Sequence, residues 1–148
     1  MKRNVGILIF EDAEVLDFAG PFEVFSVSSQ VHDYSLFDVF TVAKTKEPIS
    51  AVNGLKVVAD YTFEDCPKMD ILIISGGQGT GPLLNDKETL EWVRKMYPTT
   101  EKTVSICSGS RVLGILGLLD GLEYCTHHLV YDDMKKMVPN GIPQEDKR

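Results

Sequence analysis

The sequence predicts an α/β sandwich in which helices cover both faces of a mostly parallel sheet. Three observations carry this. Val5-Gly-Ile-Leu-Ile-Phe10 and Ile71-Leu-Ile-Ile74 are near-continuous apolar runs, as strands buried on both faces require. Strand-like and helix-like segments alternate along the chain, the order that builds a parallel sheet. Small-residue turns follow the strands at 75–79 and 107–109, where helices would begin.

The elements follow in order. After the first strand, Gly20-Pro21 opens a helix over residues 22–28, because proline suits a first helical turn. Residues 37–43 read as a second strand. Asn53-Gly54, between short β-prone runs in 47–58, marks a hairpin. Residues 71–74 are a third core strand. Asp86 caps a helix whose apolar face is Leu90, Val93 and Met96 or Tyr97. Residues 103–106 form a fourth strand. The segment 108–119 is apolar on most sides and reads as a buried helix. A short strand at 123–125 and a helix at 129–137 follow, and the tail from Pro139 reads as polar and irregular. No repeat or linker interrupts this pattern, so 1–148 is expected to be one domain.

The 148 residues carry net charge -7. Such a balance argues against nucleic-acid or anionic-membrane partners, which need a basic surface. No apolar run reaches the roughly 18 residues that span a bilayer. The N-terminal apolar run is too short for a secretory signal, so a cytoplasmic location is expected. The cysteines, Cys66, Cys107 and Cys125, are odd in number and match no zinc spacing. Neither a metal site nor a disulfide framework is expected.

In parallel sheets, sites lie beyond the carboxyl ends of the strands. That brings together the loop 11–17, the turn 75–80 and Cys107. Ser105-Ile106-Cys107-Ser108-Gly109 supplies the small neighbours a strained nucleophile elbow needs. At a helix N-terminus the amides and dipole favour a thiolate. The alternative is a buried cysteine acting as a small hydrophobe. Ser75-Gly76-Gly77-Gln78-Gly79 lacks the lysine of a phosphate loop. It reads either as an oxyanion hole or as a turn needing positive φ. Asp17 is either a helix cap or a buried acid with a raised pKa beside the thiol. His127 and His128 are either a base near the cysteine or a polar loop. Trp92, His32 and Cys66 read as structural, and Cys125 as packed within its short strand.

Together, Val15-Leu-Asp17-Phe-Ala-Gly-Pro-Phe-Glu-Val-Phe25, Ile74-Ser-Gly-Gly-Gln-Gly-Thr80, Ile106-Cys-Ser-Gly109, Gly117-Leu-Leu-Asp-Gly121 and Thr126-His127 resemble the ThiJ/PfpI superfamily. The match runs over residues 4–138, and the look is closest to the isonitrile hydratase branch. The resemblance implies a flavodoxin-like three-layer sandwich of the class I glutamine amidotransferase type. It implies that Cys107 is the nucleophile, that Asp17 hydrogen-bonds it, and that His127 lies nearby. Gly76, Gly77 and the amide of Ser108 fall at oxyanion or substrate-binding positions. The implied activity is addition of water to a small isonitrile, without metal or organic cofactor, in a homodimer. Oxidation sensing and metabolite binding in a regulatory domain are the alternatives, and proteolysis ranks last. Two departures stand out. The chain lacks the strand and helix start that relatives carry after this point, so the fold is expected to be shortened at its C-terminus. Gly81 stands where relatives often have arginine.

Overall fold

The computed structural model describes residues 1–147. The chain runs β1 (Arg3–Leu8), α1 (Val15–Gln30), β2 (Phe37–Ala43), β3 (Ile49–Ser50), β4 (Lys56–Val57), β5 (Tyr61–Thr62) and β6 (Ile71–Ile74). It continues α2 (Thr80–Leu83), α3 (Lys87–Met96), β7 (Lys102–Ser105), α4 (Ser110–Ile115), β8 (Glu123–Tyr124), α5 (Tyr131–Met137) and β9 (Ile142–Pro143). The main sheet has the order β5-β2-β1-β6-β7. Every neighbouring pair in it is parallel.

β1 is the centre of this sheet. Its Val5 pairs with Val39 of β2 on one side and Ile71 of β6 on the other. Val5, Ile7, Leu8, Leu72 and Ile74 are wholly buried. Each such side chain contributes about 1.5–3 kcal/mol of apolar burial, which is why these runs show no alternation. α1 packs against β1 and β2. Ser29 Oγ at its end bonds the Phe37 backbone in both directions, at 2.9 and 3.0 Å. The predicted parallel α/β architecture is therefore present.

Several elements differ in extent from the sequence expectation. The first helix begins at Val15, not after Pro21, so the proline lies inside it. Pro21 removes one helical N–H, but its fixed φ suits a helix already under way. The consequence is large, because Asp17 then lies in the first helical turn and is not the cap. The expected buried helix 108–119 is a single 3-10 turn followed by the short α4. It stops where Gly117 takes a left-handed φ of 73°. The tail is not wholly irregular, since β9 pairs in parallel with β8. Cys125 falls just beyond β8 and is exposed, not packed in a strand. β5 and α2 are too short to show in a periodic pattern.

Other expectations match. The hairpin at Asn53-Gly54 is present, with φ of 65° and 90° and β3 antiparallel to β4. Asp86 caps α3 by accepting from the amides of Glu88 and Thr89. The face of α3 differs from the expected one: Val93 is buried as expected, but its buried neighbours are Thr89 and Trp92, while Leu90 and Met96 are partly buried and Tyr97 is exposed. Trp92 stacks on Phe63 at 4.4 Å. No helix among the described residues is long and apolar enough to cross a membrane.

Candidate active site

Cys107 directly follows β7 and Ile106, and precedes α4. Its φ is +55°, a left-handed backbone that a side chain other than glycine rarely adopts. The strain is held from both sides. The Ile106 amide donates to Ile74 O, and the Gly109 amide donates back to Ile106 O. Gly109 is required there: a Cβ would stand 2.4 Å from Ile74 O. The side chain is thereby lifted off the sheet edge at a sharp strand-to-helix turn.

The β6 turn supplies the opposite wall. The Gly76 amide donates to Asp17 Oδ2 at 3.1 Å. A Cβ on Gly76 would lie 2.6 Å from that oxygen and 2.8 Å from Cys107 Cβ. Only glycine lets acid, turn and cysteine come this close. Gly77 has φ +117° and would clash with backbone atoms of Asp12 and Glu14 if it bore a side chain. Its amide donates to Ser108 Oγ at 3.0 Å. Ser108 and Thr80 are buried, and Thr80 Oγ1 donates to Gly77 O at 2.8 Å. Both glycine amides proposed as oxyanion donors are thus occupied, one by the acid and one by a hydroxyl. The Ser108 amide points at the Cys107 sulfur.

Asp17 and Cys107 lie on either side of Gly76, and each acts on the other's titration. Burial raises the Asp17 pKa above its ordinary value, and the Gly76 amide and the Cys107 thiol only partly offset this. Burial also raises the Cys107 thiol, and the Asp17 charge raises it further against the Ser108 amide. The thiolate expected from a helix N-terminus is therefore not favoured here. A 3-10 turn and the six residues of α4 give a weak dipole, and desolvation outweighs it.

His127 is half-buried and precedes a 3-10 turn, where its Nδ1 accepts from the Leu129 amide at 3.3 Å. That bond leaves the proton of the neutral ring on Nε2. The ring is close enough to Asp17 to act on its charge, and it lines the same cleft as Cys107. His128 is exposed. The cleft has a volume of about 280 Å³, and Thr80, Ser108 and Arg111 also line it. A larger cleft of about 330 Å³, lined by Phe10, Lys44, Phe63 and Leu83, holds no cysteine. The smaller one is the candidate site because it contains the cysteine. No group of three or more His, Cys, Asp or Glu side chains among the described residues could hold a metal.

Sequence reasoning missed Thr80 and Arg111 at this cleft. Arg111 carried a signal, being the sole charge in the run 107–119 and four residues after Cys107.

A family model described as the DJ-1/PfpI family matches residues 3–145. The chain belongs to the DJ-1/PfpI family. Among similar DJ-1/PfpI relatives is the isonitrile hydratase of Pseudomonas putida, 34% identical over 99% of this chain and 61% of that protein. An HTH-type transcriptional regulator, GbdR, of Pseudomonas aeruginosa is 22% identical over 93% of this chain and 37% of its own. A solved ThiJ/PfpI family protein from Pseudomonas syringae superposes with TM-score 0.85 at 28% identity, covering 98% of this chain and 57% of that one. The chain thus spans about three-fifths of the isonitrile hydratase and of the Pseudomonas syringae protein.

Proposed function

We propose that this protein adds water to a small isonitrile, with Cys107 as nucleophile and Asp17 as the acid that moves the proton. The observation that carries the reading is the juxtaposition, beside Gly76, of a strained, lifted cysteine and a carboxyl whose pKa burial raises. A carboxyl whose pKa is raised is the better placed to give a proton to carbon. The similarity to an isonitrile hydratase supports the substrate class.

The steps balance on this chain's own groups. The Cys107 sulfur bonds the terminal isonitrile carbon, which takes a proton from Asp17, and Asp17 regains one from the thiol. The product is a thioimidate, R–N=CH–S–Cys. Water, oriented by the His127 Nε2–H, then adds to that carbon, with Asp17 giving its proton to nitrogen and taking one from the water. The C–S bond breaks, sulfur is reprotonated, and the N-substituted formamide leaves. The Ser108 amide is assigned to the carbon-bound oxygen. Gly76 and Gly77 are assigned to hold the acid and the Ser108 hydroxyl in place. No metal or organic cofactor enters these steps.

The test is formamide production from a simple alkyl isonitrile, followed by proton NMR. Cys107→Ala and Cys107→Ser are each expected to fall to background. Undiminished turnover in either variant rules the mechanism out.

Metabolite binding without turnover is the second reading, favoured by the similarity to a regulator. The same similarity means that the expected absence of a nucleic-acid partner rests on charge alone. Oxidation sensing is disfavoured, because a raised thiol is slow to oxidise. A single domain over 1–148, a cytoplasmic location and a homodimer remain part of the proposal. Exposed Leu16, Val24 and Val27 on α1 support the dimer. Sedimentation as a monomer at micromolar concentration would remove it.

A further inference from the structure

We propose that the Cys107 cleft selects a small molecule bearing a carboxylate, and that Arg111 is the residue that recognises it. The inference takes its reaction from the reading above but does not depend on it for binding. Arg111 sits on α4 four residues after Cys107, and its guanidinium lines the same cleft. The side chain is 18% exposed. Its Nε is buried and has no hydrogen-bond partner. The contacts it does make are long. Nη1 lies 3.4 Å from Thr80 Oγ1, and Nη2 lies 4.0 Å from Asp133 Oδ2, a carboxylate that is 59% exposed.

A guanidinium offers five N–H donors in a rigid fork. Here the protein occupies few of them. An unpaired donor on a largely buried cation is costly to leave unmade. The fold nevertheless holds this cation on the wall of its nucleophile cleft. A carboxylate matches the fork with two parallel bonds, which a neutral group cannot reproduce. Gly81 leaves the approach open: a Cβ there would stand 3.6 Å from Nη1. Leu129 and Val130 on the same cleft suit the short carbon skeleton. Glu14, also on the cleft, repels an anion, which leaves Arg111 as the group that attracts it. The reacting carbon is then left for Cys107.

The probes are isocyanoacetate and its methyl ester as substrates, with N-formylglycine and its methyl ester as the matching products. Binding of the products by calorimetry is read first. Wild type is expected to bind N-formylglycine on the order of 10- to 100-fold more tightly than its ester. Cys107→Ser keeps that preference. Arg111→Gln, with folding checked by circular dichroism, brings the ratio close to one. In turnover, the ratio of kcat/KM for acid over ester collapses in the same variant. If neither isonitrile turns over but the carboxylate preference in binding holds, the hydration reading fails and this one stands. Equal binding of acid and ester by wild type overturns it without any variant. So does a preference that survives in folded Arg111→Gln.

Discussion

Asp17 and Cys107 act on each other's titration, and burial pushes both pKa values up. For Asp17 the folded value lies above the ordinary 3.8. The fold therefore favours the protonated acid. That contribution is full below the ordinary value and is lost as pH rises through the raised one. Asp17→Asn removes the titration. Its melting temperature is expected to gain on that of wild type as pH rises from about 4 toward 7, and thermal unfolding across that range measures it. A gap that shrinks with rising pH would contradict the raised acid. For Cys107, alkylation by iodoacetamide is expected to show its inflection above the ordinary 9.0, because burial and the Asp17 charge oppose ionisation. In Asp17→Asn the inflection moves down. A wild-type inflection well below 9.0 would restore the helix-dipole picture.

At the scale of elements, the turns hold the site more than the helices do. Gly76→Ala puts a Cβ against Asp17 Oδ2, Cys107 Cβ and Ile106 O, all at 2.8 Å or less. Two of these atoms belong to the cysteine and its strand, so the turn must move. Activity is expected to fall by more than tenfold while circular dichroism stays unchanged, since the site geometry tolerates little displacement. Full activity in Gly76→Ala would show that the turn does not set the distance between acid and cysteine. Elsewhere, Asp86 caps α3 through two amides and Thr89 Oγ1. Asp86→Ala is expected to lose about 1 kcal/mol in urea unfolding, the usual worth of a cap. The loss should leave activity intact, because α3 contributes no side chain to the Cys107 cleft.

At the scale of the whole molecule, stability rests on β1 and β6, and function on the loops at their carboxyl ends. Ile73 is 1% exposed on β6, where it pairs with Ile7 of the central strand. Ile73→Ala is expected to cost about 2–5 kcal/mol, measured by denaturant unfolding, through lost burial and the cavity left behind. The site should survive at low temperature, since its turns are bonded to the strand ends and not to that side chain. A drop in specific activity with no drop in stability would reverse this division.

The apolar runs, the Asp86 cap and the Asn53-Gly54 hairpin were legible in the sequence because each is a local rule: two-sided burial, an orphan amide and a positive φ. The meeting of Asp17, Gly76 and Cys107 was legible in outline, since a parallel sheet sends its loops to one edge. Pro21 misled because a proline already inside a helix looks, in sequence, like one that starts it. The tertiary structure alone decided the direction in which the pair's pKa values move. The sequence places Cys107 at a helix start and so points to a thiolate. Burial of the sulfur and the charge of Asp17 are properties of packing, and they reverse that direction. Arg111 is likewise an ordinary arginine in the sequence, and only the fold turns it into a largely buried cation with an unpartnered Nε beside the nucleophile.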